Sequence, residues 1–336
     1  MKRFFSIFAN LSLILFISLG LGGCVTTRLP VAATSPWTEV KLETDANPLD
    51  IAFVNDENGF LIGTNRLILE TNNGGKSWEE RSLDISAEEN FRLLSIDFSG
   101  QEGWIAGQPG LIMHTVDSGK NWTRLGLGNN LPGEPNLITT LGPNSAELAT
   151  TAGAVYRTSD GGNTWEGNVS EASGGVRDIR RTDLGEYVSV SSLGNFYATL
   201  RPGDEQWEPH QRASSKRVQA IGYRPDGGLW MLSRGAEIRF TESIDDQEAW
   251  SKPIIPIVNG YNYLDMAWDS QGSIWTAGGN GTLLRSNDGG ESWESDFVGE
   301  NQASNLIRVL FYPNEDKEIT KGFVLGERGT LLRWEG

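Results

Sequence analysis

Cysteine is nearly absent: Cys24 is the only one in 336 residues, so no disulfide can form within the chain. Histidine is almost as scarce, and His114 and His210 fall in different repeat units, which argues against a His-rich metal site. Counting leaves a Ser-His-Asp arrangement open, but no Gly-x-Ser-x-Gly elbow occurs. The expectation is a protein with no catalytic residues, no metal and no cofactor. Positive charge is also short. Lys and Arg number 28 against 44 Asp and Glu, a formal charge of −16 that repels nucleic acid and anionic lipid headgroups alike.

What is present begins with Lys2 and Arg3 followed by an apolar run from Phe4 to Leu21, the charged and hydrophobic parts of a secretory signal. The run is long enough to cross a bilayer, so an uncleaved anchor is the alternative. Leu21-Gly22-Gly23-Cys24 resembles a lipobox, which implies cleavage before Cys24 and lipidation of its thiol. The chain then divides into a signal (1–23), a lipidated cysteine with a Thr, Ala, Ser and Pro tether (24–36), and one folded domain (37–336). Loss of Lys2 and Arg3 takes the charge from −16 to −18, leaving membrane contact to the lipid.

The 41 glycines, 12 tryptophans and 38% hydrophobic content suit a turn-rich all-β protein. Trp37, Trp78, Trp122, Trp165, Trp207, Trp250 and Trp293 recur at 41 to 44 residues. Each unit reads as four short strands. First strands are expected at Leu49 to Val54, Leu93 to Phe98, Val176 to Arg181, Val218 to Tyr223, Leu264 to Trp268 and Ile307 to Tyr312, with a weaker one near Leu137. Four strands per 40 to 50 residues is the propeller signature, and the alternation excludes helical repeats. The last unit stops after its third strand, Gly329 to Trp334, whereas Trp37 to Val40 is a fourth strand with no predecessors. Pairing the two closes the ring and removes a sheet edge. The predicted fold is an all-β seven-bladed β-propeller of four antiparallel strands per blade, closed by the N-terminal strand.

Four units share one turn before the tryptophan: Thr71 to Trp78, Thr115 to Trp122, Thr158 to Trp165 and Ser286 to Trp293, centred on Asn73, Asp117, Asp160 and Asp288. It resembles the Asp-box of sialidases and other propellers. The physical reading is a staple: the Asx oxygen accepts from turn amides, Gly supplies a left-handed residue, and Trp packs as an apolar plate against a neighbouring blade. A calcium or sugar site is the competing reading. The units ending at Trp207 and Trp250 lack the motif and are expected to turn differently.

Charge is uneven along the chain. Residues 170–240 carry ten basic and nine acidic groups, +1 locally against −17 for the rest, and nine of the ten are Arg. Arginine favours bidentate carboxylate contacts and interface hot spots. Several of these arginines are expected to converge on one propeller face as a partner-binding patch; the alternative is that they pair with Asp178, Asp183, Glu186 and Asp226.

The lipobox, the Trp-marked units, the Asp-boxes, Gly-Trp-Ile-Ala-Gly-Gln-Pro-Gly-Leu-Ile at 103–112 and Gly-Glu-Arg-Gly-Thr-Leu-Leu-Arg-Trp at 326–334 together resemble the photosystem II stability and assembly factor family, over residues 37–336. The resemblance implies a lipid-anchored, monomeric protein on the lumenal side of a cyanobacterial thylakoid membrane, or the periplasmic side of the plasma membrane. It implies binding of the newly made photosystem II reaction-centre subunit precursor and early assembly intermediates, in assembly or repair. The arginine patch described for that family maps onto Arg177, Arg180, Arg181, Arg201, Arg217 and Arg224. Two other readings compete. A sialidase-like glycosidase would need an arginine triad and a Tyr nucleophile paired with Glu, for which Glu186-Tyr187 is suggestive, but Arg28-Leu29-Pro30, the nearest match to an Arg-Ile-Pro motif, sits in the tether. A generic cell-envelope scaffold is the third.

Overall fold

The computed structural model describes residues 28–86, 88–126, 132–169, 174–243, 249–257, 261–314 and 318–336. The signal at 1–23 and the lipidation residue Cys24 lie outside them. The described residues form seven antiparallel sheets, six of four strands and one of three. Numbered as blades 1 to 7, their inner strands are Pro48–Phe53, Arg92–Ser99, Pro135–Gly142, Val176–Arg181, Val218–Tyr223, Tyr263–Trp268 and Leu306–Pro313. The weak candidate near Leu137 is thus a full eight-residue strand. In blade 5 the fourth strand shrinks to one bridge between Ile238 and Ile254.

The ring closes as the chain ends predict. Trp37 pairs with Trp334, Thr38 with Arg333 and Glu39 with Leu332, so blade 7 takes its outer strand from the N-terminus. Part of the tether is also docked: Ser295 N donates to Pro30 O and Ala32 N to Ser295 O, both at 2.8 Å, on the outer strand of blade 6.

Blades adhere through the repeat tryptophans. Trp37 sits edge-on to Trp275 of blade 6 at 5.3 Å, Trp122 to Phe60 of blade 1 at 6.0 Å, Trp165 to Trp104 of blade 2 at 5.9 Å, and Trp250 to Tyr197 of blade 4 at 5.8 Å. Each such ring removes about 150–250 Å² from water, about 4–6 kcal/mol at the usual apolar coefficient. Trp207 keeps the same role without an Asp-box, its Nε1 donating to Gly153 O of blade 3 at 2.7 Å.

The Asp-boxes are staples of the expected kind. Asp160 Oδ1 accepts from Thr164 N at 2.9 Å, while the Thr158 hydroxyl donates to Asp160 and accepts from Gly162 N. Asn73, Asp117 and Asp288 accept from Ser77, Asn121 and Ser292 in the same way. These bonds, first from Thr164 and Ser292 hydroxyls or the Asn121 amide N–H, hold the three carboxyls down at about 2.

Strand direction defines two ends. At the entry face the chain enters each inner strand and makes the turn between second and third strands. At the Asp-box face it makes the inner-to-second turn and the Asp-box turn. A residue's place along its inner strand therefore decides which face it reaches.

Candidate partner-binding face

Every inner strand carries a β-bulge near its start, immediately after its first paired residue in six blades and after its second, Leu93, in blade 2. A bulge leaves one residue outside the ladder and re-aims it. In blades 6, 7, 1 and 2 that residue is Leu264, Ile307, Leu49 and Leu94; in blades 3, 4 and 5 it is Asn136, Arg177 and Gln219. All seven line one cavity of about 300 Å³ at the channel's entry end. The mouth is accordingly two-sided, with a continuous aliphatic arc facing a continuous polar one.

The next residue along the strand stitches the ring. Asp50 Oδ2 accepts from Ile96 N (3.0 Å), Ser95 Oγ from Ile138 N (3.2 Å), Asp178 Oδ2 from Ile221 N (3.2 Å) and Asp265 Oδ2 from Val309 N (2.9 Å), each reaching the following blade. Arg308 closes blade 7 onto blade 1 through Asp50 Oδ1 at 2.9 Å and Leu49 O at 3.1 Å. Burial pushes the Asp50 carboxyl up, against the pull of Arg308. Deeper in the channel, burial raises Asp97 to about 6, aided by the Asp50 charge and opposed by the Thr140 and Phe98 amides.

The six predicted arginines divide among three environments. Arg180 is inside the channel, 26% exposed, bound to Asp178 at 3.2 Å and to Asp265 of blade 6 at 2.7 Å, with its guanidinium 4.7 Å from the Trp230 ring centre. Burial opposes its charge, but the two aspartates outweigh burial and raise its pKa. Arg181, Arg201 and Arg224 lie toward the Asp-box face. There Arg181 is held by Glu147 Oε2 at 2.8 Å and Thr182 O at 2.9 Å, and Arg224 by Asp226 at 2.5 Å and Thr241 O at 2.9 Å. The Arg201 backbone N–H donates to Asp204 Oδ2.

Only Arg177 and Arg217 reach the entry face. Arg177 is exposed and donates to Gln219 Oε1 at 3.0 Å and Val218 O at 3.4 Å, with no carboxylate on it among the described residues. Arg217 is exposed just before blade 5. Arg234, in the second-to-third turn of that blade, joins it: Arg234 N donates to Arg217 O at 3.0 Å. Three of the six therefore gather toward the Asp-box face and two at the entry face, and ion pairing holds for Arg180, Arg181 and Arg224. Sequence reasoning counted Arg234 among the basic residues but did not select it; its place one residue past the strand Leu229–Ser233 was the available signal.

The Tyr and Glu arrangement a sialidase would need is present in a form that opposes the chemistry. Tyr187 Oη donates to Glu147 Oε2 at 3.1 Å, beside Arg181, but Tyr187 is 3% exposed and packs on Trp207. Burial first, and then the Glu147 charge, raise the phenol's pKa, the reverse of what activates an oxygen nucleophile.

The family model described as "Photosynthesis system II assembly factor YCF48" matches residues 29–335. The chain is 66% identical, over 100% of its own length and 99% of the relative's, to the "Photosystem II assembly lipoprotein Ycf48" of one Prochlorococcus marinus strain. Among solved structures it resembles one described as "YCF48 bound to D1 peptide", at 41% identity and a TM-score of 0.87, over 92% of this chain and 97% of that one. It also resembles YCF48 from Cyanidioschyzon merolae, at 35% identity and a TM-score of 0.83, over 89% and 99%.

Proposed function

This chain belongs to the photosystem II assembly factor YCF48 family, and from that membership we propose that it binds the newly made D1 precursor on the lumenal side of the thylakoid membrane during early reaction-centre assembly or repair. The observation that carries the reading is the near full-length likeness to the structure described as bound to a D1 peptide. In this reading the protein acts by docking and not by catalysis, is held to the membrane by lipid on Cys24, and works as a monomer. The propeller spans 37–336, after the signal at 1–23 and the tether at 24–36.

The docking surface is the entry face. Arg177 and Arg217, with Arg234, present guanidinium groups that have no carboxylate partner among the described residues and can fork onto client carboxylates. Arg181, Arg201 and Arg224 face away, and Arg180 serves the ring itself. The test is binding of the mature chain to peptides from the lumenal segments of the D1 precursor, at low and high salt. Changing Arg177, Arg217 and Arg234 to Ala should weaken binding at least tenfold and flatten its salt dependence. Changing Arg181, Arg201 and Arg224 should leave it within twofold. The opposite ranking would move the site to the Asp-box face.

A further inference from the structure

The channel mouth pairs two chemistries that a single ligand can satisfy together. On one side are four half-buried aliphatic side chains, Leu264, Ile307, Leu49 and Leu94, contributed by consecutive blades. Facing them are the Asn136 and Gln219 amides flanking Arg177. Two other guanidinium groups in the cavity, Arg180 and Arg308, are committed to Asp178, Asp265 and Asp50. Arg177 alone among the lining cations has no carboxylate partner among the described residues. The cavity, about 300 Å³, lies at the small end of the roughly 300–1,000 Å³ of ligand clefts, which suits one or two residues of an extended chain and not a folded element.

We propose that the channel mouth captures the C-terminal residue of a polypeptide, its free carboxylate forked by Arg177 with the Asn136 and Gln219 amides and its aliphatic side chain laid on the Leu/Ile arc. An interior chain segment fits less well. Its carboxylates occupy the side chains themselves, so the same residue has no separate aliphatic group for the Leu/Ile arc, and the backbone must both enter and leave the mouth, whereas a terminus brings charge and apolar side chain on one carbon and leaves by one path. The bulges are what make the site, since without them these seven positions would stay in the ladder.

The inference rests on the reading that the client is a polypeptide, and its test separates the two. The probes, measured against the mature full-length chain, are a D1-precursor C-terminal peptide as free acid, the same peptide as C-terminal amide, and a lumenal loop peptide blocked at both ends. The free acid should bind about tenfold to a hundredfold more tightly than the amide, the range of a hydrogen-bonded charge. In Arg177→Gln that ratio should fall to about one, and Leu94→Glu should weaken the free acid while leaving the loop peptide unchanged. Equal binding of acid and amide by the unaltered chain, or binding of the loop peptide alone, overturns terminal capture while the client reading stands. If no D1 peptide binds, the client reading fails. Hexanoate titrated against the leucine and isoleucine methyl resonances then decides the site by itself, and absence of shifts at Leu49, Leu94, Leu264 and Ile307 overturns it.

Discussion

Replacing Arg180 by Ala distinguishes a residue that holds the propeller together from one that meets a partner. The guanidinium spans from blade 4 to Asp265 of blade 6, and Asp265 is 1% exposed. Its removal leaves that carboxylate with the Met266 and Val309 amides, at 2.8 and 2.9 Å, and no counter-charge. Breaking a buried pair on one side costs about 3–5 kcal/mol. The contact with Trp230 adds about 0.5–2 kcal/mol, part of it already counted in that range. At about 2.1 cal/mol/K per residue, a domain of about 300 residues has an unfolding entropy near 0.6 kcal/mol/K, so the midpoint should drop by roughly 5–8 °C. Calorimetry beside peptide binding is the assay. An unchanged midpoint with lost peptide binding would refute the reasoning and return Arg180 to the docking surface.

Two further outcomes follow from individual positions. Asp97 is raised from an unfolded value of 3.8 to about 6, so wild-type folding is favoured fully below pH 4 and loses about 3 kcal/mol as pH rises from 4 to 6. Asp97→Asn, whose amide oxygen can still accept from Thr140 N, should stabilise the protein at pH 8 and hardly at pH 4; denaturation curves offset equally at both would exclude this account. Gly119 and Gly289 both have left-handed backbones, φ 78° and 74°. A Cβ at Gly119 meets Phe60 at 2.4 Å, but one at Gly289 meets nothing within 4 Å. Gly119→Ala should therefore cost about 2–4 kcal/mol and Gly289→Ala only about 1 kcal/mol, and equal losses by urea titration would show that packing is irrelevant there.

The fold was legible because its signals are local. A tryptophan every 41 to 44 residues, glycines at the turns and a fourth strand without predecessors require no knowledge of distant contacts. The candidate site was only half legible. Arg177 and Arg181 are neighbours in sequence, yet four residues of strand separate them by about 13 Å along the channel axis, enough to send them toward opposite faces. Arg180 reads as one more exposed arginine because the aspartate that claims it lies 85 residues onward. The bulge ring left no compositional trace: Leu, Asn, Arg, Gln and Ile occupy equivalent places, and only strand register shows that they do.

The closure of blade 7 sets an order of events during folding. Its outer strand, Trp37–Glu39, is synthesised long before the strands that receive it, between Leu306 and Trp334. Blades 1 to 6 can collapse as they emerge, but each such intermediate is an open arc, with the unpaired strand and the bare face of blade 1 at one end and the bare face of the newest blade at the other. Contacts separated by nearly the whole chain are the slowest to form, since their loop-closure entropy is met last.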